Sequence, residues 1–593
     1  MKRITLFSLF LTLGMISFGQ HVYKNDITSK DVQYNINRLA SDEWAGRKPG
    51  TPGGDSAAGF VKNYFMSQGL ELLFKNGFQE FELVTNAKAG SNNFVKVGDK
   101  LINKADEVIP FSFSAQGLIN APLVFAGYGF DINQDSLVWN DFKGVDVNGK
   151  WVLILRGYPD NEKYKNALSN AGDERSKVLA AKDRGAKGVI FINGAVYDKE
   201  DKPVKVFYDK SNADAGIPVL WMSRKALTTL DEKLIAKVLE SETMMNSQLK
   251  SASFDPVLML EGSSEVTLEK VKTYNVAALL RGSDPLLKDE YIVVGAHYDH
   301  LGMGGYGSGS RMPDTIAPHN GADDNASGVS AVMELAGYFA GQKARPARSI
   351  IFVAFGAEES GLIGSGYFVA NPPVAKEKIK MMLNFDMVGR LNSETKSFSI
   401  GGTGSSKEAE SVLNEMLKTS DLKASFSKEG YGPSDHASFY SANIPVLYFN
   451  TGVHTDYHTP FDRANKINSE GEAEIVQFVA QLMQRLVTNA PAWTYQEAGP
   501  AKQQRMGRLK VTFGIMPDFT STDNKGLGVS GVTPGGPAER AGMKKGDRII
   551  ALDGKPITDI YDYMNRLKKL NKGDRVSVDL DRKGEKVVVI VEL

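Results

Sequence analysis

Apolar residues change their spacing along this chain of 593 residues, and each change predicts a different structural unit. Residues 28–72 contain two stretches with helical apolar spacing on either side of a polar, glycine-rich loop at 46–54. Residues 111–255 alternate short apolar runs with charged turns, which is typical of a β-rich unit, and one helix is predicted over 176–184. From 267 to 490 the apolar runs alternate with long helical segments.

The apolar runs of this last region are nearly continuous, as in strands that are buried on both faces. They lie at 291–296, 349–355, 380–385 and 444–449. Such runs, separated by helical segments, indicate a largely parallel sheet covered by helices on both faces. The predicted fold class is therefore α/β, with an inserted β-rich domain and a compact β-rich domain at the C-terminal end.

Six segments follow from these patterns. They are a leader at 1–19, the first part of the α/β domain at 20–110, the β-rich insertion at 111–255, the rest of the α/β domain at 256–490, a linker at 491–506 and the C-terminal domain at 507–593. Alanine, glutamine and proline are frequent in the linker segment, as in sequences that connect folded domains.

The first residues have the pattern of a secretory signal peptide. Met1-Lys2-Arg3 is followed by an apolar run that ends at the small residue Gly19. The run is short for a membrane span, so we expect export to the periplasm or the medium and no transmembrane anchor. The chain has no cysteine, which excludes a disulfide framework and a lipid anchor on a thiol.

Charge excludes one class of partner. Lysine plus arginine and aspartate plus glutamate both number 70, so no overall field attracts nucleic acid, and we expect none as a partner. Any functional electrostatics must be local.

Five residues in the α/β region have the chemistry and spacing of metal ligands. They are His297, Asp324, Glu359, Asp386 and His458. Two imidazoles and three carboxylates form the nitrogen and oxygen set that Zn²⁺ accepts. Glu358 precedes Glu359 and is a spare carboxylate that could take a proton from an attacking water. The sequence therefore predicts a metalloenzyme.

The predicted strands explain how residues so far apart could meet. Four of the ligands follow a predicted strand, namely His297, Glu359, Asp386 and His458. In an open α/β sheet the carboxyl ends of the strands form the binding edge, so these four are expected to converge there. Asp324 precedes a helix predicted over 329–340, among small residues that allow close approach.

Other polar residues near these motifs are expected to play supporting roles. Asp299 lies two residues after His297, on the same side of an extended segment, and its carboxylate is expected to accept the second ring N–H of His297. For His300, His319 and His454 we expect solvated or core positions, with a supporting role beside the site or a place at its rim as the alternative.

The motifs around these residues resemble those of the secreted co-catalytic zinc aminopeptidases and their relatives, which include glutamate carboxypeptidase and glutaminyl cyclase. The matching stretches are His297-Tyr-Asp299, Gly321-Ala-Asp-Asp-Asn-Ala-Ser-Gly328, Glu358-Glu359, Asn384-Phe-Asp386 and Tyr457-His-Thr-Pro460. The Gly46-Arg47 loop is also similar to that family. The resemblance implies a zinc exopeptidase fold and peptide substrates.

The resemblance also implies two zinc ions per chain. Asp324 would bridge them. His297 and Asp386 would complete the protein ligands of one ion, and Glu359 and His458 those of the other.

The same family suggests the catalytic groups. Glu358 would be the general base on a water that bridges the zinc ions, and Tyr457 would hydrogen-bond the tetrahedral oxyanion. Ser434-Asp435-His436 would lie beside the site, and the Asp324–Asn325 peptide bond would be cis.

The flanking domains carry resemblances of their own. Residues 111–255 look like a protease-associated (PA) domain inserted into the peptidase, through stretches such as Val124-Phe-Ala-Gly-Tyr-Gly129. Residues 507–593 look like a PDZ domain of bacterial protease type, through stretches such as Lys545-Gly-Asp-Arg-Ile-Ile-Ala-Leu-Asp-Gly554. A PDZ domain would bind a peptide or a protein C-terminus as an added strand; the alternative is that it only packs or tethers.

Four functions compete on this evidence. We expect an aminopeptidase first. A carboxypeptidase or dipeptidase comes second and would need a cation for the substrate carboxylate, for which Arg311, Arg390 and Arg463 are candidates. Glutaminyl cyclases look like one-zinc enzymes, whereas this chain keeps every ligand. A scaffold that uses only its PA and PDZ domains comes last, because relatives without catalysis also lose ligands.

Overall fold

The computed structural model describes residues 26–134, 137–208, 214–488, 490–498, 511–518, 525–533 and 535–593. The predicted signal peptide lies outside these residues, as does the predicted linker from residue 499 onwards.

Two amphipathic helices open the described chain, α1 (Ser29–Leu39) and α2 (Pro52–Ser67). Each starts at a threonine whose side chain accepts a backbone N–H three residues on, Thr28 for α1 and Thr51 for α2. Two strands follow, β1 (Glu71–Leu72) and β2 (Phe78–Ala89).

The inserted region forms a separate eight-stranded sheet with its own core. Its strands, with the hairpin β7–β8 beside the sheet, are β3 (Phe94–Val97), β4 (Lys100–Ile102), β5 (Val108–Pro110), β6 (Gly117–Phe125), β7 (Asp131–Gln134), β8 (Leu137–Asn140), β9 (Trp151–Arg156), β10 (Gly188–Asn193), β11 (Val219–Met222) and β12 (Phe254–Ser264). Its helices are α3 (Lys165–Ala171), α4 (Glu174–Lys182), α5 (Arg224–Leu230) and α6 (Glu232–Gln248). The predicted helix over 176–184 overlaps α4. The sheet reaches beyond 111 and 255 because the hairpin β3–β4 pairs with the far end of β12.

The chain then returns to the first domain. Its strands are β13 (Val266–Leu280), β14 (Tyr291–His297), β15 (Ser349–Phe355), β16 (Ile379–Phe385), β17 (Ser397–Gly401), β18 (Lys423–Phe426) and β19 (Val446–Asn450). Its helices are α7 (Gly328–Gly341), α8 (Ile363–Ala370), α9 (Ala409–Leu417), α10 (His436–Ser441) and α11 (Ser469–Leu486).

These strands form one nine-stranded sheet in the order β1-β13-β15-β14-β16-β19-β17-β18, with β2 paired to β13. The centre, β15-β14-β16-β19, is parallel, and β17 and β18 are parallel to each other. The pairs at the flanks, such as β13–β15 and β17–β19, are antiparallel. The predicted α/β class is confirmed, but the sheet is parallel mainly at its centre.

Helices cover both faces of the sheet, as predicted. Along β15, Ile350 and Phe352 pack into one core with α1, α2, α7 and α11. Their neighbours Ile351 and Val353 pack into a second core with α8 and α10. A central strand buried on both faces leaves polar side chains room only at its ends, which is where the candidate site lies.

The C-terminal domain is a six-stranded sheet with two short helices around its own core. Its elements are β20 (Ile515–Asp518), β21 (Leu527–Val532), α12 (Pro537–Arg540), β22 (Arg548–Leu552), β23 (Lys555–Pro556), α13 (Ile560–Leu567), β24 (Arg575–Arg582) and β25 (Glu585–Glu592).

This domain contacts both of the others. Arg566 on α13 forms a bidentate ion pair with Asp183, which follows α4, at 2.8 and 2.9 Å. On another side, the Lys545 ammonium donates to the Asn443 side chain after α10. None of the helices in the described part of the chain combines the length and apolar character needed to cross a bilayer.

Candidate active site

Neighbouring parallel strands deliver three of the predicted site segments to one edge of the sheet. His297 is the last residue of β14. Glu358 and Glu359 follow β15, and Asp386 follows β16 directly. Because β14 pairs in parallel with both neighbours, these ends meet. His458 reaches the same place from the loop after β19.

Asp324 lies at the centre of the cluster. Its Oδ1 is 3.3 Å from Nε2 of His297, and its Oδ2 is 3.2 Å from Nε2 of His458. The two oxygens of one buried carboxylate therefore face two different histidines.

One further carboxylate accompanies each histidine. Asp386 Oδ1 is 3.6 Å from His297 Nε2, and Glu359 Oε2 is 3.4 Å from His458 Nε2. The five predicted ligands thus form two sets of three donors that share Asp324. In the first set the donor atoms all lie within 4.8 Å of one another.

Glu358 lies beside the first set, with Oε2 3.8 Å from His297 Nε2. Burial raises the pKa of Glu358 well above its ordinary value, and the carboxylates of Glu359, Asp435 and Asp386 raise it further against the opposing effect of His297. Such an environment favours the form of the carboxyl that holds a proton.

The histidines respond to the same carboxylates in the opposite way. Burial acts to lower the pKa of His458, but hydrogen bonds to Asp324 and Glu359 outweigh it and raise that pKa to about 10. The pKa of His297 is also raised well above its usual value, against burial, by Glu358, Asp324 and Asp386. The cluster therefore carries enough negative charge to bind cations.

The backbone around Asp324 is fixed by polar side chains. The Asp462 carboxylate accepts the N–H groups of both Asp323 and Asp324, at 2.9 and 3.0 Å. Asn325 donates to the carbonyl of Phe385 at 2.9 Å, which ties the loop to the strand that carries Asp386. The Asp324–Asn325 peptide bond is cis, as expected.

Arg47 holds this loop from the N-terminal segment. Its guanidinium is fully buried and donates to four carbonyl oxygens, those of Tyr298, Leu39, Asn320 and Gly321, at 2.5 to 3.0 Å. Burial lowers the pKa of Arg47 to about 10, so it stays charged at neutral pH and balances part of the acidic cluster. The sequence singled out the Gly46-Arg47 loop but gave no role to the arginine.

Asp299 supports the site differently from the prediction. His297 Nδ1 is 3.1 Å from the Asp299 backbone carbonyl oxygen and 3.9 Å from its carboxylate. The ring N–H therefore donates to the carbonyl, because the carboxylate instead accepts the backbone N–H groups of Glu358 and Glu359 at 3.0 and 3.4 Å. Asp299 still positions three predicted site residues.

A glycine-rich loop fixes the other histidine. The Gly309 carbonyl oxygen is 3.1 Å from His458 Nδ1, which turns Nε2 towards Asp324 and Glu359. The Tyr457 ring stacks on the His458 ring with centroids 3.8 Å apart. Burial raises the pKa of Tyr457, and the nearby carboxylates add to the rise, so the phenol keeps its proton.

Two residues that the sequence did not place among the ligands or catalytic groups also lie in the site. His300 is buried, with Nδ1 2.6 Å from Glu359 Oε1, and with Asp324 and Glu359 it forms a second possible metal-holding group. Tyr448 stacks on His436, and burial together with the charges of Asp386, Asp324 and Glu358 raises its pKa. In the sequence, only the proximity of His300 to His297 indicated that His300 could lie in the site.

The remaining polar candidates lie around the cluster. Ser434 accepts from Asn384 at 2.8 Å, and burial of Asp435 raises its pKa to about 7. His454 contacts Asp323 at 3.2 Å, and His319 lies 2.7 Å from the Ser310 hydroxyl.

Comparison with known proteins agrees with this architecture. Residues 275–483 match the model of Peptidase family M28, residues 119–230 that of the PA domain and residues 514–593 that of the PDZ domain. An aminopeptidase from Pseudomonas aeruginosa is 32% identical over 277 residues, which cover 45% of this chain and 44% of that protein. Aminopeptidase YwaD from Bacillus subtilis is 27% identical over 368 residues, or 60% of this chain and 64% of that one.

Among solved structures, a zinc aminopeptidase from Bacillus subtilis covers 80% of this chain and 99% of its own, with 21% identity and a TM-score of 0.44. The chain spans less than half the length of the Pseudomonas relative and just under two thirds of the Bacillus sequence relative. Three regions of the chain thus match family models, those of Peptidase family M28, the PA domain and the PDZ domain.

Proposed function

We propose that this protein is a two-zinc aminopeptidase, which hydrolyses the first peptide bond of substrates with a free α-amino group. The observation that carries the proposal is the position of Asp324, whose two oxygens face His297 and His458 at 3.3 and 3.2 Å. Both curated relatives described above are named aminopeptidases.

The donor atoms fit zinc in both chemistry and spacing. Zinc binds histidine nitrogen and carboxylate oxygen at about 2.0–2.2 Å in tetrahedral sites, which places two such ligands about 3.3–3.6 Å apart. The separations from His297 to Asp324 and Asp386, and from His458 to Asp324 and Glu359, are 3.2 to 3.6 Å. We propose these five residues as the ligands of two ions that share Asp324.

Glu358 is the proposed general base and acid. When bound, zinc supplies a Lewis acid that acidifies water and polarises the peptide carbonyl. Glu358 lies beside the first donor set, 3.8 Å from His297 Nε2, without belonging to either set. Once zinc balances the surrounding negative charge, its carboxylate can take a proton from water and return it to the leaving amine. Tyr457 keeps its phenolic proton and can donate a hydrogen bond to the oxyanion.

His300 is proposed as a positioning residue. Because Gly309 fixes the ring of His458 so that Nε2 faces both Asp324 and Glu359, we assign His458 to the metal and His300 to the support of Glu359.

A pair of peptides tests the reaction class. A short peptide and its N-acetylated twin would be incubated with the protein, with and without a zinc chelator. We expect chelator-sensitive release of the first residue from the free peptide only. Equal cleavage of both peptides would mean that the amine is not recognised and would reject the aminopeptidase assignment.

Two neighbouring substitutions separate catalysis from metal binding. Glu358→Gln should keep both zinc ions and lower kcat by about 10²–10⁴-fold, because the base is lost. Glu359→Gln should lower the zinc content as well, because a charged ligand is lost. Glu394→Gln, at an exposed turn, is the matched control and should change neither. Normal turnover by Glu358→Gln would refute its role, and a full-length protein that binds no zinc would favour a scaffold.

The PDZ domain is proposed to bind peptides. Strand β20 lies at the edge of its sheet and pairs with β21, so a peptide could add as a further strand beside it.

We also propose that the protein is exported, as its first residues suggest. Cleavage of the predicted signal peptide would be detected by sequencing the N-terminus of the protein recovered from the cell envelope or the medium.

A further inference from the structure

Three arginines could offer a positive charge to a substrate carboxylate, and the structure separates them. Arg390 contacts the carboxylates of Asp456 and Asp462 at 3.3 and 3.1 Å. Arg463 contacts Asp42 at 2.6 Å and donates to the Pro460 carbonyl. Both are therefore already neutralised by acidic neighbours.

Arg311 differs from these two. Its side chain is exposed, and among the described residues no carboxylate forms an ion pair with it. Its guanidinium lies 4.9 Å from the centroid of the Tyr457 ring, which stacks in turn on His458. The cation thus stands at the mouth of the candidate site, in contact with a proposed catalytic phenol.

The backbone holds Arg311 in this place. Its N–H donates to the His458 carbonyl at 2.9 Å. The adjacent Ser310 hydroxyl is 2.7 Å from His319 Nε2 and accepts the Met312 N–H at 2.9 Å. The loop backbone is therefore anchored on both sides of Arg311, and a loop that is held before substrate arrives loses little entropy on binding.

We propose that Arg311 binds a substrate carboxylate located one or two residues beyond the scissile bond. This inference rests on the proposed function and adds a substrate class, namely short peptides whose C-terminal carboxylate lies close to the cleaved bond, or peptides with an acidic side chain there. The chemistry is a charge-assisted hydrogen bond from a guanidinium that is stacked on an aromatic ring.

Three substrates distinguish the sources of the carboxylate. They are alanyl-leucine as the free acid, alanyl-leucine amide, and alanyl-glutamate amide, which carries only a side-chain carboxylate. The full-length zinc enzyme would be compared with Arg311→Met, which keeps the backbone N–H, and with Arg311→Lys. Arg345→Met removes an exposed arginine before β15, at the opposite edge of the sheet, and is the matched control.

In Arg311→Met we expect kcat/KM for at least one of the two acidic substrates to fall about 10- to 100-fold, mainly through KM, while the neutral amide changes less than about 2-fold. Arg311→Lys should be intermediate, and Arg345→Met should match the unmodified enzyme. A fall for the free acid alone assigns the carboxylate to the C-terminus, and a fall for the glutamate peptide alone assigns it to the side chain.

Equal losses on all three substrates would overturn the inference, because they would show that Arg311 only supports Tyr457 and His458. Equal activity of Arg311→Met and the unmodified enzyme on all three substrates would overturn the inference as well. In both cases zinc-dependent cleavage of the neutral amide would leave the proposed function standing. Failure of the unmodified enzyme to cleave any peptide would instead refute the proposed function and this inference together.

Discussion

The buried acid Glu334 should make the peptidase domain less stable as the pH rises. Glu334 lies on α7, is 4% exposed and accepts a hydrogen bond from the Asn35 side chain on α1 at 2.9 Å. Burial raises its pKa from 4.5 to about 8, and the charge of Asp31 adds to the rise. At neutral pH the folded protein therefore keeps this carboxyl protonated, whereas the unfolded chain ionises it.

The sign and size of the effect follow from this difference. Below pH 4.5 both states hold the proton, and the pH has no effect through this group. Between pH 4.5 and 8 only the unfolded state releases it, so stability falls as pH rises, and above pH 8 the loss is complete. A rise from 4.5 to about 8 corresponds to about 5 kcal/mol in total, of which about 2 kcal/mol falls between pH 6 and pH 8.

Glu334→Gln isolates this contribution, because glutamine has the shape of the protonated acid and does not titrate. Hydrogen exchange of segments covering α1 and α7 would be measured by mass spectrometry in the zinc-loaded protein at pH 6 and pH 8. Relative to the unmodified protein, the variant should gain about 2 kcal/mol of local stability between the two values. Glu394→Gln, at an exposed position, is the control. If the local stability changed equally with pH in Glu334→Gln and in the unmodified protein, the reasoning would be refuted.

Two further predictions concern the site itself. Arg47→Lys keeps the positive charge but loses the planar guanidinium, which donates to four carbonyl oxygens. The backbone amides of residues 317–327 should therefore lose about 2–4 kcal/mol of protection from hydrogen exchange. Unchanged protection would mean that the charge alone is sufficient. Zinc titration of chelator-treated protein at pH 7 should release protons, because the proposed ligand His458, whose pKa is raised to about 10, would have to lose its proton to bind the metal. Calorimetric heats that do not depend on the ionisation enthalpy of the buffer would contradict this.

Much of the candidate site could be predicted because strand ends are visible in the sequence. Asp386 directly follows an apolar run and Glu358 lies three residues after the end of another, and the parallel pairing of β14, β15 and β16 brings these ends together. The direction of each strand, in contrast, is not visible in the sequence. An apolar run has the same pattern whether its neighbour is parallel or antiparallel, so the antiparallel flanks of the sheet could not be predicted.

The histidines show a second limit of the sequence. His297 and His300 lie three residues apart, and in an extended segment their side chains would point to opposite sides. The chain leaves β14 at His297, however, and both rings reach the Asp324 carboxylate, at 3.3 and 3.9 Å. Periodicity gives reliable directions only within a regular element, and the site begins where the strand ends.

The conformation of the Asp324 loop depends on contacts that are remote in sequence. Its backbone is held by Asp462 from the loop after His458, by Asn325 through the end of β16, and by Arg47 from the segment before the insertion. No local pattern in residues 321–328 contains this information, since the three partners come from three parts of the chain. The N-terminal segment supplies none of the five proposed ligands, yet its arginine fixes the carbonyls just before Asp324. A protein that lacked this segment would therefore keep every proposed ligand and lose the geometry that brings two histidines to one carboxylate.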